Sequence, residues 1–307
     1  MSAVRRVGGG SVPGIADLAP LTIAAGDLVA AFIPGAGMVG ASLTDRGDEL
    51  LGQRGGVEAY VERGSTFGIP LLYPWANRLS GTRYDDVDLT GAPRVRLDPN
   101  GLPIHGLLHA WPDWQVLEHT DDRLRARADL TDLAGFPFPH ALEQHVHLTA
   151  ATLSIATMVR ATGEAAVPVS FGYHPYLATT DADRLEVPAC THVALDDRGL
   201  PTGATEAQPA RTIALADAEL DDLYTGLAHP PAFTLVRPER RVTVTFDHGY
   251  PVAQLYHPPG QGLLAIEPMT APTNALVTRE GLQTVAPGGT FLATFSITVD
   301  APPTIPS

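Results

Sequence analysis

One cysteine stands in 307 residues. A lone thiol cannot close an internal disulfide, so no covalent staple holds the chain. Cys190, set in the strand-like VPACTHV, is expected to be buried and structural. No run of roughly 18 apolar residues occurs, which excludes a membrane-spanning helix. Long helical patterns are also missing, because 28 prolines and 30 glycines leave them little room. Basic residues are few: 20 Lys and Arg against 34 Asp and Glu give a net charge of −14. Nucleic-acid binding needs clustered cations and none occur, so nucleic acid is not an expected partner. The same charge disfavours a strongly anionic ligand unless arginines converge locally. MSAVRRVGGGSVPG has two arginines but no apolar stretch behind them, so it does not read as a secretory signal. Residues 1–15 read as a flexible N-terminus ahead of one domain over 16–302, and a cytoplasmic location is expected. No nucleophile signature, metal signature or phosphate loop is found.

What the chain does have is short alternating runs between turn signals. RLRARADL (123–130) puts Leu124, Ala126, Ala128 and Leu130 on one face and Arg123, Arg125, Arg127 and Asp129 on the other. VTVTF (242–246) alternates Val and Thr, and FLATFSITV (291–299) puts Phe291, Ala293, Phe295, Ile297 and Val299 on one side. Period two marks half-buried antiparallel strands. Further strands are expected at 21–25, 28–34, 153–161, 232–238 and 252–258. With 44% hydrophobic residues a sizeable core can be buried. Many short strands with Gly and Pro turns imply an all-β sandwich or barrel. The irregular stretches 62–84 and 98–113 are expected to be rim loops that carry function.

Four segments carry polar residues that this pattern does not require: NGLPIHGLLHAW (100–111), SFGYHPYL (170–177), LDDLYTGL (220–227) and LAIEPMTAPTNAL (264–276). In GYHPY, Pro175 biases His174 toward extended backbone, and Tyr173 and Tyr176 could wall a dry pocket. Imidazole is the side chain that changes charge near neutral pH, but a strand-end His bonded to a carbonyl is the plainer alternative. Glu267 follows the apolar LLAI and precedes Pro268. A carboxylate there costs free energy unless it is paired or used, and the plain alternative is a salt bridge with Arg279. Gly106 after His105 permits a close approach or a sharp turn. Asp221 and Asp222 precede Leu223 and Tyr224, and the plain alternative for them is a solvated loop or helix N-cap. Arg78, after Asn77, could donate two hydrogen bonds to a hydroxylated ligand or form a loop salt bridge. Trp75, Trp111 and Trp114 could stack on a sugar, although core packing is commoner. His145 and His147 share a strand face, but with no third ligand in view a metal site is not expected.

Taken in order, these segments resemble the aldose 1-epimerase (galactose mutarotase) family. The resemblance covers roughly residues 20–300. Its elements are Asn77–Arg78, His105–Gly106, His174–Pro175–Tyr176, an aspartate ahead of an aromatic at Asp221 or Asp222, and Glu267–Pro268. The resemblance implies a large antiparallel β-sandwich of the galactose mutarotase type, few short helices, and a sugar cleft across one sheet. It also implies interconversion of the α and β anomers of an aldohexose. Glu267 would be the base at O1 and His174 the acid at the ring oxygen. Arg78, His105, Asn77, Tyr176 and the aspartate would bind the sugar, with no cofactor or metal, in a monomer or homodimer. Leu107 follows Gly106 where the best-studied members carry a second glycine, which looks more like a shorter bacterial branch. Two rivals stay open. One is a hexose-6-phosphate epimerase, which needs cations drawn from Arg78, Arg83, Arg94 and Arg96. The other is a carbohydrate-binding protein without turnover, which would not need both an acid and a base.

Overall fold

The computed structural model describes residues 18–300, and the N-terminal stretch 1–15 read as flexible lies outside them. Within them the alternating runs are strands. Arg123–Leu130 buries Leu124, Ala126, Ala128 and Leu130. Arg241–His248 buries Val242, Val244 and Phe246. Thr290–Asp300 turns Phe291, Ala293, Phe295, Ile297 and Val299 toward one core.

These strands form a nine-stranded sheet. Thr290–Asp300 pairs on one side with Arg241–His248 and on the other with Thr152–Ala161, which pairs in turn with His140–Leu148. An eight-stranded sheet runs in the order Pro201–Gln208, Cys190–Leu195, Leu220–Thr225, Val252–His257, Leu263–Met269, Gly172–Tyr173, Leu71–Leu72; Tyr176–Ala178 also pairs with Leu263–Met269. All these pairings are antiparallel. Leu255, Leu264 and Ile266 of this sheet meet Leu124, Ile155 and Phe295 of the other in one apolar cluster. Two sheets that bury their facing sides against each other make a sandwich. Cys190 is buried, as expected.

Gly56–Arg63 is one of the few short helices expected. Its C-terminal signal is Gly64 at φ 71°; the Gly64 N–H donates to the Tyr60 carbonyl and the Ser65 N–H to the Ala59 carbonyl. The segment LDDLYT is a strand, Leu220–Thr225, rather than a loop or helix cap. The stretches 62–84 and 98–113 are irregular but not peripheral, since Tyr73, Trp75, Leu79, Leu107 and Leu108 are all buried. They are joined by short bridges, Arg78 opposite Ile104 and Tyr73 opposite Gly106, and bring Asn77, Arg78 and His105 to the same cleft as Glu267 of the eight-stranded sheet. Among the described residues, no helix is long and apolar enough to cross a membrane.

Candidate active site

Register builds the floor of the site. Strand Leu263–Met269 is buried throughout. Its alternation sends Leu264 and Ile266 into the core and leaves Ala265, Glu267 and Met269 on the other face. Across the ladder Gln254 stands opposite Glu267, Tyr256 opposite Ala265, and Asp221 opposite Tyr256. Asp221, Tyr256 and Glu267 therefore share one face. Asp222, one residue on, points to the opposite face. There its Oδ1 meets His192 Nε2 at 3.1 Å. Asp221 lines the cleft and Asp222 does not. Asp221→Asn should therefore raise KM for the ligand at least about tenfold, the scale of a lost charged hydrogen bond. Asp222→Asn should leave it within about twofold. Equal effects in the same assay would refute the assignment by face.

His174 enters from the link between Gly172–Tyr173 and Tyr176–Ala178. Its N–H donates to the Pro70 carbonyl at 3.1 Å, and that of Tyr176 to Gly68 at 2.8 Å. The imidazole stacks on Tyr176, centroids 4.2 Å apart. Its Nε2 lies 3.1 Å from Glu267 Oε1 and 3.3 Å from the Tyr176 hydroxyl. The rings of His105 and His174 meet edge to face at 5.6 Å. Both Asn77 and His105 hold left-handed backbone, φ 55° and 58°, and such residues cluster at functional sites. The His105 N–H bonds the Asn77 carbonyl at 2.9 Å. Arg78 is fixed by its own neighbours: Nε donates to Asp98 Oδ2 at 2.8 Å and Nη1 to Asn77 Oδ1 at 3.0 Å. Gln254 Nε2 donates to Asp221 Oδ1 at 2.7 Å. Of these, Asn77, Arg78, His105, His174, Tyr176, Asp221 and Glu267 line one cleft.

Burial sets the electrostatics. It pushes the Glu267 carboxyl well above the ordinary carboxylate range; Asp221 adds to the shift and Arg78 opposes it. It also brings the His174 imidazole down to about 3, with the Arg54 charge lowering it further. His105 is likewise held well below its usual value by burial, then by His174. Burial raises Asp221 against the pull of Arg78 and Gln254. Desolvation disfavours both the carboxylate and the imidazolium here. Glu267 Oε2, His174 Nδ1 and His105 Nδ1 have no hydrogen-bond partner, which leaves them for a ligand.

Of the residues expected from sequence, Asn77, Arg78, His105, His174, Tyr176, Asp221 and Glu267 line this one cleft. Other candidates sit elsewhere. Trp75 and Trp114 are buried in the core, and Trp111 lies under the Arg94 guanidinium. Arg83 pairs with Asp88, while Arg94 and Arg96 bind backbone carbonyls. Arg279 pairs with Asp85, not with Glu267. His145 meets Glu143 and His147 meets Asp122. No group of three or more metal-ligating side chains occurs among the described residues. Sequence reasoning missed Tyr256 and Arg54, both in the cleft lining. Tyr256 sat in an expected strand, VAQLYHP, whose facing was unknown. The Arg54 guanidinium lies over the Tyr176 ring, and its Nη1 donates to that hydroxyl at 3.1 Å; no sequence signal announces it.

A two-sheet antiparallel sandwich with a polar cleft on one sheet is a galactose mutarotase-like fold. The chain matches the family model for aldose 1-epimerase over residues 21–298 and belongs to that family. Among curated relatives, it is 28% identical over 219 residues to the Escherichia coli (strain K12) protein YihR, itself uncharacterized; the match covers 67% of this chain and 70% of that one. Among solved structures, it superposes on a galactose mutarotase-like protein from Clostridium acetobutylicum with a TM-score of 0.79 at 19% identity, covering 92% and 95% of the two chains. It also superposes on the Slr1438 protein from Synechocystis sp. PCC 6803 with a TM-score of 0.77 at 23% identity, covering 96% and 100%.

Proposed function

We propose that the protein is an aldose 1-epimerase that interconverts the α and β anomers of an aldohexose by acid/base ring opening. The observation that carries this reading is the pair His174 Nε2 and Glu267 Oε1, 3.1 Å apart in a desolvated cleft. O1 and the ring oxygen of a pyranose share one carbon, so the groups that serve them must also stand close together. Glu267 takes the O1 proton and His174 delivers one to the ring oxygen. The open aldehyde turns about C1–C2, and closure reverses the two transfers. The resting pair is carboxyl and imidazole; transfer of its proton across the 3.1 Å contact to His174 frees the carboxylate to take the O1 proton, and the pair again holds one proton after both transfers. Asp221 and Arg78 fix hydroxyls, and His105 completes the wall beside His174. Each positioned proton-transfer group supplies about 10²–10⁴-fold, enough for a reaction that water alone supports slowly.

A non-catalytic sugar receptor would have no use for both a displaced carboxyl and a displaced imidazole side by side. Of the cations named for the hexose-6-phosphate reading, Arg83, Arg94 and Arg96 are engaged elsewhere and Arg78 is tied to Asp98, which leaves Arg54 as the cation at the cleft for a phosphate. Polarimetry with fresh anomers of galactose, glucose, arabinose and glucose 6-phosphate tests the reading. Accelerated mutarotation of a neutral aldose is the expected result. No acceleration with any of them would refute it, and a preference for the phosphate would install the rival.

The shared proton also predicts the pH profile. Activity needs one proton on the pair. A second is taken up only where the buried imidazole titrates, at about 3, and the last leaves only above the ordinary carboxylate range. kcat/KM should therefore keep its acid limb near 3, below the ordinary carboxylate value of 4.5. An acid limb centred on 4.5 would mean an ordinary, solvated Glu267.

A further inference from the structure

Asn274 gives up a local contact for a remote one. It stands at the N-cap of the helix Ala275–Thr278. An N-cap asparagine ordinarily holds extended backbone and lets its side-chain oxygen accept an N–H from the first helical turn. Asn274 does neither: its backbone is left-handed, φ 72°, and its side chain makes no cap bond. Instead Oδ1 accepts the Ser80 N–H at 2.8 Å, across 194 residues of sequence. The Asn274 backbone N–H donates to the Arg78 carbonyl at 2.9 Å. One buried residue thus grips the chain on both sides of Leu79. Residues 78–80 belong to no strand, so these two bonds satisfy backbone groups that a ladder would otherwise pair.

The grip reaches the Arg78 guanidinium without slack. Nε is tied to Asp98 and Nη1 to Asn77, and a Cβ on Gly199 would lie 2.7 Å from Nη1, so the Gly199 turn packs directly on the group. Nη2 makes no hydrogen bond among the described residues and is the edge left for a ligand. A guanidinium walled in this way cannot swing to make up for a displaced backbone. Toward Glu267 the connection is also stiff. EPMTAPTNAL carries both Glu267 and Asn274, and Pro268 and Pro272 have restricted φ. Between them Thr270 donates its N–H and its hydroxyl to the Phe171 carbonyl, each at 2.9 Å. Asn274 itself is not in the cleft lining.

We propose that Asn274 is a positioning residue for Arg78: it fixes the guanidinium relative to Glu267 and so sets affinity for the sugar without touching it. The inference rests on the anomerisation reading, in which Arg78 holds a hydroxyl while Glu267 works at O1. A hydroxyl held alike in the ground and transition states contributes to KM and not to kcat.

The test is Asn274→Gly, assayed by polarimetry on the full chain with fresh anomers of galactose, glucose and arabinose. Glycine takes a left-handed φ without strain and keeps the N–H that Arg78 accepts, so only the bond to Ser80 is lost. KM should rise about tenfold, the scale of one buried hydrogen bond, while kcat stays within about threefold. Asn274→Ser, whose hydroxyl is too short to reach Ser80, should give the same rise. Asn274→Asp keeps Oδ1 and should bring KM back to within about threefold of the parent. In an Arg78→Met background, Asn274→Gly should lower kcat/KM by less than about twofold further, because both changes act through one contact. Thermal melts accompany each assay. A lowered melting temperature with unchanged KM would make Asn274 a purely structural residue and overturn the proposal. A full tenfold loss in the Arg78→Met background would overturn the route through Arg78, as would a fall in kcat with KM unchanged. A parent that turns over none of the three sugars would overturn the anomerisation reading and this role with it.

Discussion

Glu267→Gln should lower kcat by about 10²–10⁴-fold and at the same time raise the melting temperature at neutral and alkaline pH. Gln keeps the shape and the hydrogen-bonding reach of the side chain, so the cleft stays intact, but it cannot accept the O1 proton. The stability gain follows from the sign of the pKa shift. Burial raises the carboxyl well above its ordinary value of 4.5. Above 4.5 the unfolded chain releases this proton while the folded cleft keeps it, so folding becomes less favourable as pH rises. The loss accrues at up to about 1.4 kcal/mol per pH unit until the folded group titrates. Gln has no proton to retain and escapes it. The variant's advantage in melting temperature should therefore widen as pH rises. Paired thermal melts and polarimetry across pH measure both effects. A variant less stable than the parent at alkaline pH would mean that Glu267 is ionised in the folded cleft. Near-normal kcat would remove it from the role of base. A group that costs stability where it sits, and gains only by reacting, is what separates an active-site carboxyl from a structural one.

The sequence made the sandwich legible through a local signal. Period two in RLRARADL or FLATFSITV depends only on which neighbours are apolar, and those residues do face one core. The polar motifs were legible because His105, His174 and Glu267 sit among Gly, Pro and apolar residues, where no surface role explains them. Facing was harder to read. Asp221 and Asp222 must lie on opposite faces, but which face is the cleft depends on Leu220 and Tyr224 packing into the core, and Leu223 on the cleft face is just as buried. Arg54 was out of reach altogether. It approaches Tyr176 across 122 residues of sequence, from a short link between Asp48–Glu49 and the helix Gly56–Arg63 that alternation does not describe. Tryptophan was ambiguous, with core packing the commoner expectation. Stacking on a sugar and filling a core ask for the same large apolar ring, and Trp75 is fully buried.

Gly106→Ala should be among the most damaging single substitutions in the chain, at about 3–5 kcal/mol of stability. Two costs combine at this position. Its φ of +71° is left-handed, a conformation that costs an L-residue about 1–2 kcal/mol. In addition, a Cβ there would lie 2.0 Å from the Tyr73 carbonyl oxygen and 2.3 Å from its carbon. That carbonyl cannot swing aside cheaply, because it accepts the N–H groups of both Leu107 and Leu108, at 2.6 and 3.1 Å. Relief must move one chain segment or the other. Either movement shifts His105, already left-handed at φ 58°, away from its contact with His174, so whatever folds should also lose activity. Gly101→Ala separates the two costs. Gly101 has nearly the same backbone, φ +76°, but nothing within 4 Å of its Cβ position. It should lose only the conformational part, about 1 kcal/mol, and keep its turnover. Urea unfolding of the two variants beside the parent gives both numbers. Equal losses would show that the close approach at Tyr73 carries no weight, and that the glycine after His105 is there for its backbone angle alone.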